Sequence, residues 1–263
     1  MTHDDRRSLN DLGGAIALLI GFAMLWLPLG QHEFLAFHWM KLGTFMAPFL
    51  LLAAFSFRAG KGLGDPQFIA LAILLAYIAH QFEEHWIDLF GNVFAFQGSV
   101  NDLIGSALGV YPASGSAPEV LTRMSVFVVN TSLVWLVGAL AIWRGRVAIF
   151  PVLAIIAIAL VNSVSHIMSG LAMGGYNPGL LTSALLFLPL CLLSYVSLWR
   201  DGYASIGQIG LSLVWSLLAH VILVLGAIAA NWWNLFPEIV YFALLILWSA
   251  VPTVGSWRDR AGP

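Results

Sequence analysis

The stretch His80-Gln81-Phe82-Glu83-Glu84-His85 sets an imidazole three and four residues ahead of two adjacent carboxylates. On an α-helix, positions i, i+3 and i+4 share a face, so His80, Glu83 and Glu84 project to one side. His85 follows His80 by five residues and is expected to point elsewhere; with Asp88 it forms a second i, i+3 pair further round. A second constellation lies downstream. Asn162 and His166 stand at i and i+4, again on one helix face, and a turn containing Tyr176-Asn177-Pro178-Gly179 follows. Imidazole and carboxylate donors without thiolates suit Zn, Fe or Mn. The favoured ligand set is His80, Glu84 and His166, although the choice between Glu83 and Glu84 stays open at this stage. Two imidazoles and one carboxylate leave positions for water or substrate. The other glutamate is then a candidate general acid or base. Asn162 can orient His166 or a bound water. Tyr176 can be aimed at the substrate by its turn, in which Pro178 fixes its own φ and Gly179 admits conformations closed to other residues. The zincin pattern HExxH is absent, and the inverted HxxEH does not fit, because of the five-residue spacing to His85.

The elements that must position these groups are set by composition. The chain has 263 residues, 60% of them hydrophobic and 9% charged, with a mean hydropathy of +0.89. Soluble domains carry about 25% charged residues. The expectation is therefore an all-α, polytopic transmembrane helix bundle forming a single integral membrane domain over residues 1–263, in the cell membrane and surrounded by lipid. No basic tract points to nucleic acid, and the one cysteine, Cys191, excludes an intrachain disulfide framework. A span needs about 20 apolar residues. Eight such segments are expected: Leu12–Gly30, read as a retained first helix, then 34–57, 66–90, 119–143, 147–171, 180–199, 206–230 and 237–254. The longest connection, 91–118, is rich in Gly and Ser, with room for a short interfacial helix over 100–108.

Charge supports that count. Cytoplasmic loops carry excess Lys and Arg, and Arg6, Arg7, Arg58, Lys61, Arg144, Arg146, Arg200, Arg258 and Arg260 all fall on one side. Those are nine of the eleven basic residues. Both termini are thus expected in the cytoplasm. Lys41 and Arg123, on the other side, sit inside span ends, where long cations snorkel. At a 1.5 Å rise per residue, His80 lies roughly 5 Å beyond the bilayer midplane and Glu83 and Glu84 roughly 10 Å beyond it. Asn130, Asn162, His166, His220 and His38 fall in the same outer slab. Charges at such depth cost roughly 2.5–3.5 kcal/mol each near the bilayer centre and are functional by default. A single intramembrane imidazole such as His220 is more often an interhelical hydrogen-bond partner, and Asn130 is read as structural in the same way.

These residues carry a resemblance. His80-Gln81-Phe82-Glu83-Glu84 resembles the HxxEE signature of the HXXEE-domain family, Asn162 to His166 its NxxxH element, and Tyr176 to Gly179 its YxPG element, in the family's order, over roughly residues 72–190. The resemblance implies a membrane domain of unassigned function, suspected to be catalytic. It supports the choice of site residues and supplies no reaction. The leading reading is a metal-dependent membrane enzyme, hydrolase or oxidoreductase, acting on a small amphipathic or lipid-like substrate. The alternative is a proton- or ion-coupled transporter using Glu83, Glu84 and His166, which the lack of an internal repeat disfavours. A haem held by His80 and His166 is disfavoured by the paired carboxylates.

Overall fold

The structure, a computed structural model, describes residues 33–56, 62–107, 109, 119–145 and 147–254. The described residues are helical throughout, with one isolated antiparallel bridge, Ile87 to Val93, and no strand. The helices are α1 (Glu33–Ser56), α2 (Pro66–Gln81), α3 (Ala95–Ala107), α4 (Arg123–Arg144), α5 (Phe150–Met173), α6 (Leu180–Arg200), α7 (Ile206–Trp232) and α8 (Glu238–Val254). Of these, α4, α5, α6 and α7 are long and apolar enough to cross a membrane. α1, α2 and α8 occupy three further expected spans, α3 falls within the long connection, and the expected first span lies outside the described residues.

Local signals explain where the helices start. Asp65 caps α2, its Oδ1 accepting from Gln67 N at 2.9 Å, with Pro66 at the first helical position, where its missing N–H costs nothing. Thr122 caps α4 through Ser125 N. Ser205 and Gln208 form a reciprocal capping box on α7. α5 ends at Gly174 in the left-handed region.

Helix α5 sits among α2, α4, α6 and α7. Its N-terminal half, Phe150 to Ala159, is buried. With Ile69, Ile73 and Ile142 it makes a largely apolar layer beneath the motif residues, crossed only by neutral polar groups such as Gln67 at the Ile142 carbonyl and Tyr195, with Ser212, at the Leu153 carbonyl. Between that layer's ends α2, α4 and α5 present no charged or imidazole side chain. The outward sides of α6 and α7 expose Leu185, Leu192, Leu193, Val214, Leu217 and Val221, as a lipid-facing surface does.

Four helices contain a π turn. α2 runs on through Phe82–Trp86, and α4, α6 and α7 contain Asn130–Leu136, Ser183–Phe187 and Ile228–Trp232. A π turn adds one residue to the helical repeat and rotates every later side chain, and such turns concentrate at functional sites. The first carries Glu83, Glu84 and His85, the second begins at Asn130, and the third directly follows Thr182.

Candidate metal centre

Glu84 is the hub. Its carboxylate lies 3.3 Å from His80 Nε2, 2.8 Å from His85 Nε2 and 3.1 Å from His166 Nε2. All four side chains are buried, His80 completely. The expected trio is brought together: one donor atom each from His80, Glu84 and His166 lies within 4.8 Å of the others, so the group could hold a metal ion. Ligands about 2.0–2.1 Å from a tetrahedral ion stand about 3.4 Å apart, close to the two separations from Glu84 within this trio.

The protonation of each ring follows from its far side. Tyr176 Oη, Leu181 N, Thr182 N and Thr182 Oγ1 all donate to Glu83, at 3.0, 3.1, 2.8 and 2.6 Å. Thr182 Oγ1, its proton committed to Glu83, then accepts from His80 Nδ1 at 2.9 Å. Asn177 Nδ2 donates to the His166 carbonyl at 2.9 Å, so Asn177 Oδ1 accepts from His166 Nδ1 at 2.7 Å. For His85 the sequence begins at Trp135, whose indole can only donate. Trp135 Nε1 donates to Gln81 Oε1 (2.9 Å), Gln81 Nε2 donates to Asn130 Oδ1 (3.0 Å), and Asn130 Nδ2 donates to His85 Nε2 (3.1 Å). In their neutral forms all three imidazoles therefore carry their proton on Nδ1 and bring an unprotonated Nε2 up to a carboxylate that is itself an acceptor, the His85 nitrogen also meeting the Asn130 amide and the His80 nitrogen the Asn162 amide. Lone pairs facing a carboxylate repel unless positive charge, a metal ion or protons, lies between them. Fixing a ligand's tautomer through its other nitrogen is how proteins prepare histidine for a metal.

Helix α2 supplies His80 and Glu84 one turn apart, α5 supplies His166, and the turn between α5 and α6 closes over them. Gly179 has φ +91°, and a Cβ there would stand 2.7 Å from His80 Cε1 and 2.9 Å from His166 Cε1. Only glycine fits both the backbone and the two rings. Asn162 meets His80, not His166: its Nδ2 donates to His80 Nε2 at 2.9 Å. Glu83 turns away from the trio onto the α6 N-terminus. Tyr176 lies above it, donating to Glu83 and accepting from Leu89 N at 3.0 Å, with its ring edge-on to Phe90. Burial, helped by the Glu83 and Asp88 carboxylates and opposed by the Leu89 N–H, pushes the Tyr176 phenol up to about 12. Asp88 organises the facing turn by accepting from Phe90 N, Asn92 N and Asn92 Nδ2. Burial alone would raise its carboxyl, but the Asn92 and Phe90 donors outweigh it and hold the group below the usual range.

One expectation needs correction. His85 does not point elsewhere: the π turn at Phe82–Trp86 swings it onto Glu84. Asn130 is the interhelical hydrogen-bond partner expected, joining α4 to Gln81 and His85, and in that role it also fixes the His85 tautomer. Thr182 and Asn177 had no signal in their spacing, although Asn177 lies inside the Tyr176 to Gly179 turn. Lys41 and Arg123 stand apart from the cluster, Lys41 over Trp86 and Arg123 over Phe37 and Phe94.

Comparison with known proteins agrees with this site. Residues 71–194 match a family model described as a protein of unknown function with HXXEE motif, and the matched stretch contains every member of the trio. No curated protein and no solved structure matches the chain.

Proposed function

From the HXXEE domain over residues 71–194, we propose that this protein is a metal-dependent integral membrane enzyme acting on an amphipathic or lipid-like substrate, with its site in the outer half of the bilayer. His80, Glu84 and His166 would hold a divalent ion, Zn, Fe or Mn by donor chemistry. One observation carries the reading: imidazole lone pairs, locked inward by Thr182 and Asn177, converge on a single buried carboxylate. Such an ion supplies Lewis acidity and acidifies bound water. The chain's own groups do the rest. The Asn162 amide, which meets His80 Nε2, would be released by an ion on that nitrogen and could then orient substrate or water. Glu83, saturated with four hydrogen bonds, holds the α6 N-terminus and the His80 tautomer in place. Tyr176 ties the 88–92 turn to Glu83 and so covers the site. The transporter alternative is less favoured because, between the ends of the layer beneath the trio, α2, α4 and α5 carry no charged or imidazole side chain among the described residues.

Elemental analysis of the purified protein tests this directly. Stoichiometric Zn, Fe or Mn is expected in the wild type and less than about one-tenth of it in His80→Ala and His166→Ala, both still membrane-inserted. Occupancy should also fall in acid, because imidazole and carboxylate ligands must shed protons to bind. Full metal in both variants would overturn the reading.

A further inference from the structure

A cavity of about 80 Å³ opens on the far side of Glu84. Its walls include Val129, Leu133, Ile158 and Leu223, from α4, α5 and α7. Its polar lining is Glu84, His85, Asn130, Asn162 and, from the facing helix, His220. The space equals roughly three waters at about 30 Å³ each, enough for a group of three or four heavy atoms. With polar groups set among apolar ones, such a space holds water or a guest that has both a polar group and a short apolar part.

His220 is not merely packed there. Its Nδ1 lies 2.8 Å from the Ser216 carbonyl, which can only accept, so Nδ1 carries the proton. The neutral ring is left with an Nε2 lone pair, and this nitrogen has no hydrogen-bond partner among the described residues. An acceptor held on the wall of a buried chamber is costly unless water or a guest supplies a donor. Ser216 sets the His220 tautomer just as Thr182 and Asn177 set those of His80 and His166, but here the free nitrogen belongs to no metal set.

We propose that this cavity is the substrate chamber and that His220 Nε2 accepts a hydrogen bond from a hydroxyl or amine on the substrate, with the attached short alkyl group against Val129, Leu133, Ile158 and Leu223. Calling the guest a substrate rests on the enzyme reading above; the chamber and its donor preference do not. The substrate class narrows accordingly, to molecules with an O–H or N–H within a few atoms of a short apolar end.

The test uses 1-propanol and its isomer methoxyethane, which match in size but differ in having an O–H donor. Their binding to the full-length protein in lipid nanodiscs is followed by saturation-transfer NMR. Wild type should prefer propanol by about three- to tenfold, the worth of one hydrogen bond. His220→Ala should bind both alike while retaining full metal. Val129→Phe, which fills the chamber, should bind neither and keep its metal. Equal affinity of the isomers in the wild type, an undiminished propanol preference in His220→Ala, or binding unaffected by Val129→Phe would each overturn the proposal. Failure of the metal reading shows separately: a wild type without metal that still prefers propanol keeps the chamber and loses the ion.

Discussion

Thr182 accepts a hydrogen bond from His80 Nδ1 at 2.9 Å and donates one to Glu83 at 2.6 Å. One hydroxyl thus decides which nitrogen of His80 faces Glu84. Thr182→Val keeps the branched shape and removes the hydroxyl, so His80 loses the partner that fixes its tautomer. Such partners are worth about 10–100-fold in metal affinity. A competition titration against a chromophoric chelator should show a loss of that size, and Thr182→Ser should recover most of it. Unchanged affinity in the valine variant would mean that the hydroxyl is incidental to the ligand. Residues of this kind are hard to read from sequence. His80, Glu84 and His166 were legible because fixed helical offsets and the depth of each span constrain them. Thr182 reaches His80 from another helix, across 102 residues of chain, and no spacing encodes that meeting.

The α5–α6 turn and the π turns act at the scale of elements. Gly179 and Gly174 both have positive φ, but they differ in surroundings: a Cβ at Gly174 would meet nothing within 4 Å, whereas one at Gly179 would strike two imidazoles. Gly174→Ala should therefore cost only the backbone term, about 1–2 kcal/mol, seen as a modest fall in Tm with metal retained. Gly179→Ala should carry the same backbone penalty and also displace His80 and His166, losing most of the metal at equal protein concentration. Wild-type metal in Gly179→Ala would show that the turn does not constrain the rings. The helices themselves were legible from apolar run length, and their starts agree with Asp65, Thr122 and Ser205 as caps. The π turns were not. An inserted residue changes no residue type, so counting 3.6 per turn past Phe82 sent His85 to the wrong face.

At the scale of the molecule, the basic-residue asymmetry predicts an orientation for the bundle, although most of the residues that carry it fall outside the described segments. Asn234 and Ser205 test the orientation from described, exposed positions at opposite ends of α7, a 27-residue helix about 40 Å long. With Cys191→Ala as background, a membrane-impermeant maleimide on intact cells should label Asn234→Cys and spare Ser205→Cys. Labelling of both would remove α7 as a span, and labelling of Ser205→Cys alone would invert the topology. The apolar layer formed by Ile69, Ile73, Ile142 and the first half of α5 has an electrical consequence. Each elementary charge moved across a membrane at 100 mV exchanges about 2.3 kcal/mol with the field. On the enzyme reading, a proton or ion that reaches Glu84 from the outer face meets no charged or imidazole side chain of α2, α4 or α5 to carry it further and is expected to leave by the face it entered. Turnover should then move no net charge across the membrane: its rate is expected to follow the pH of the outer compartment, with no current in a voltage-clamped bilayer.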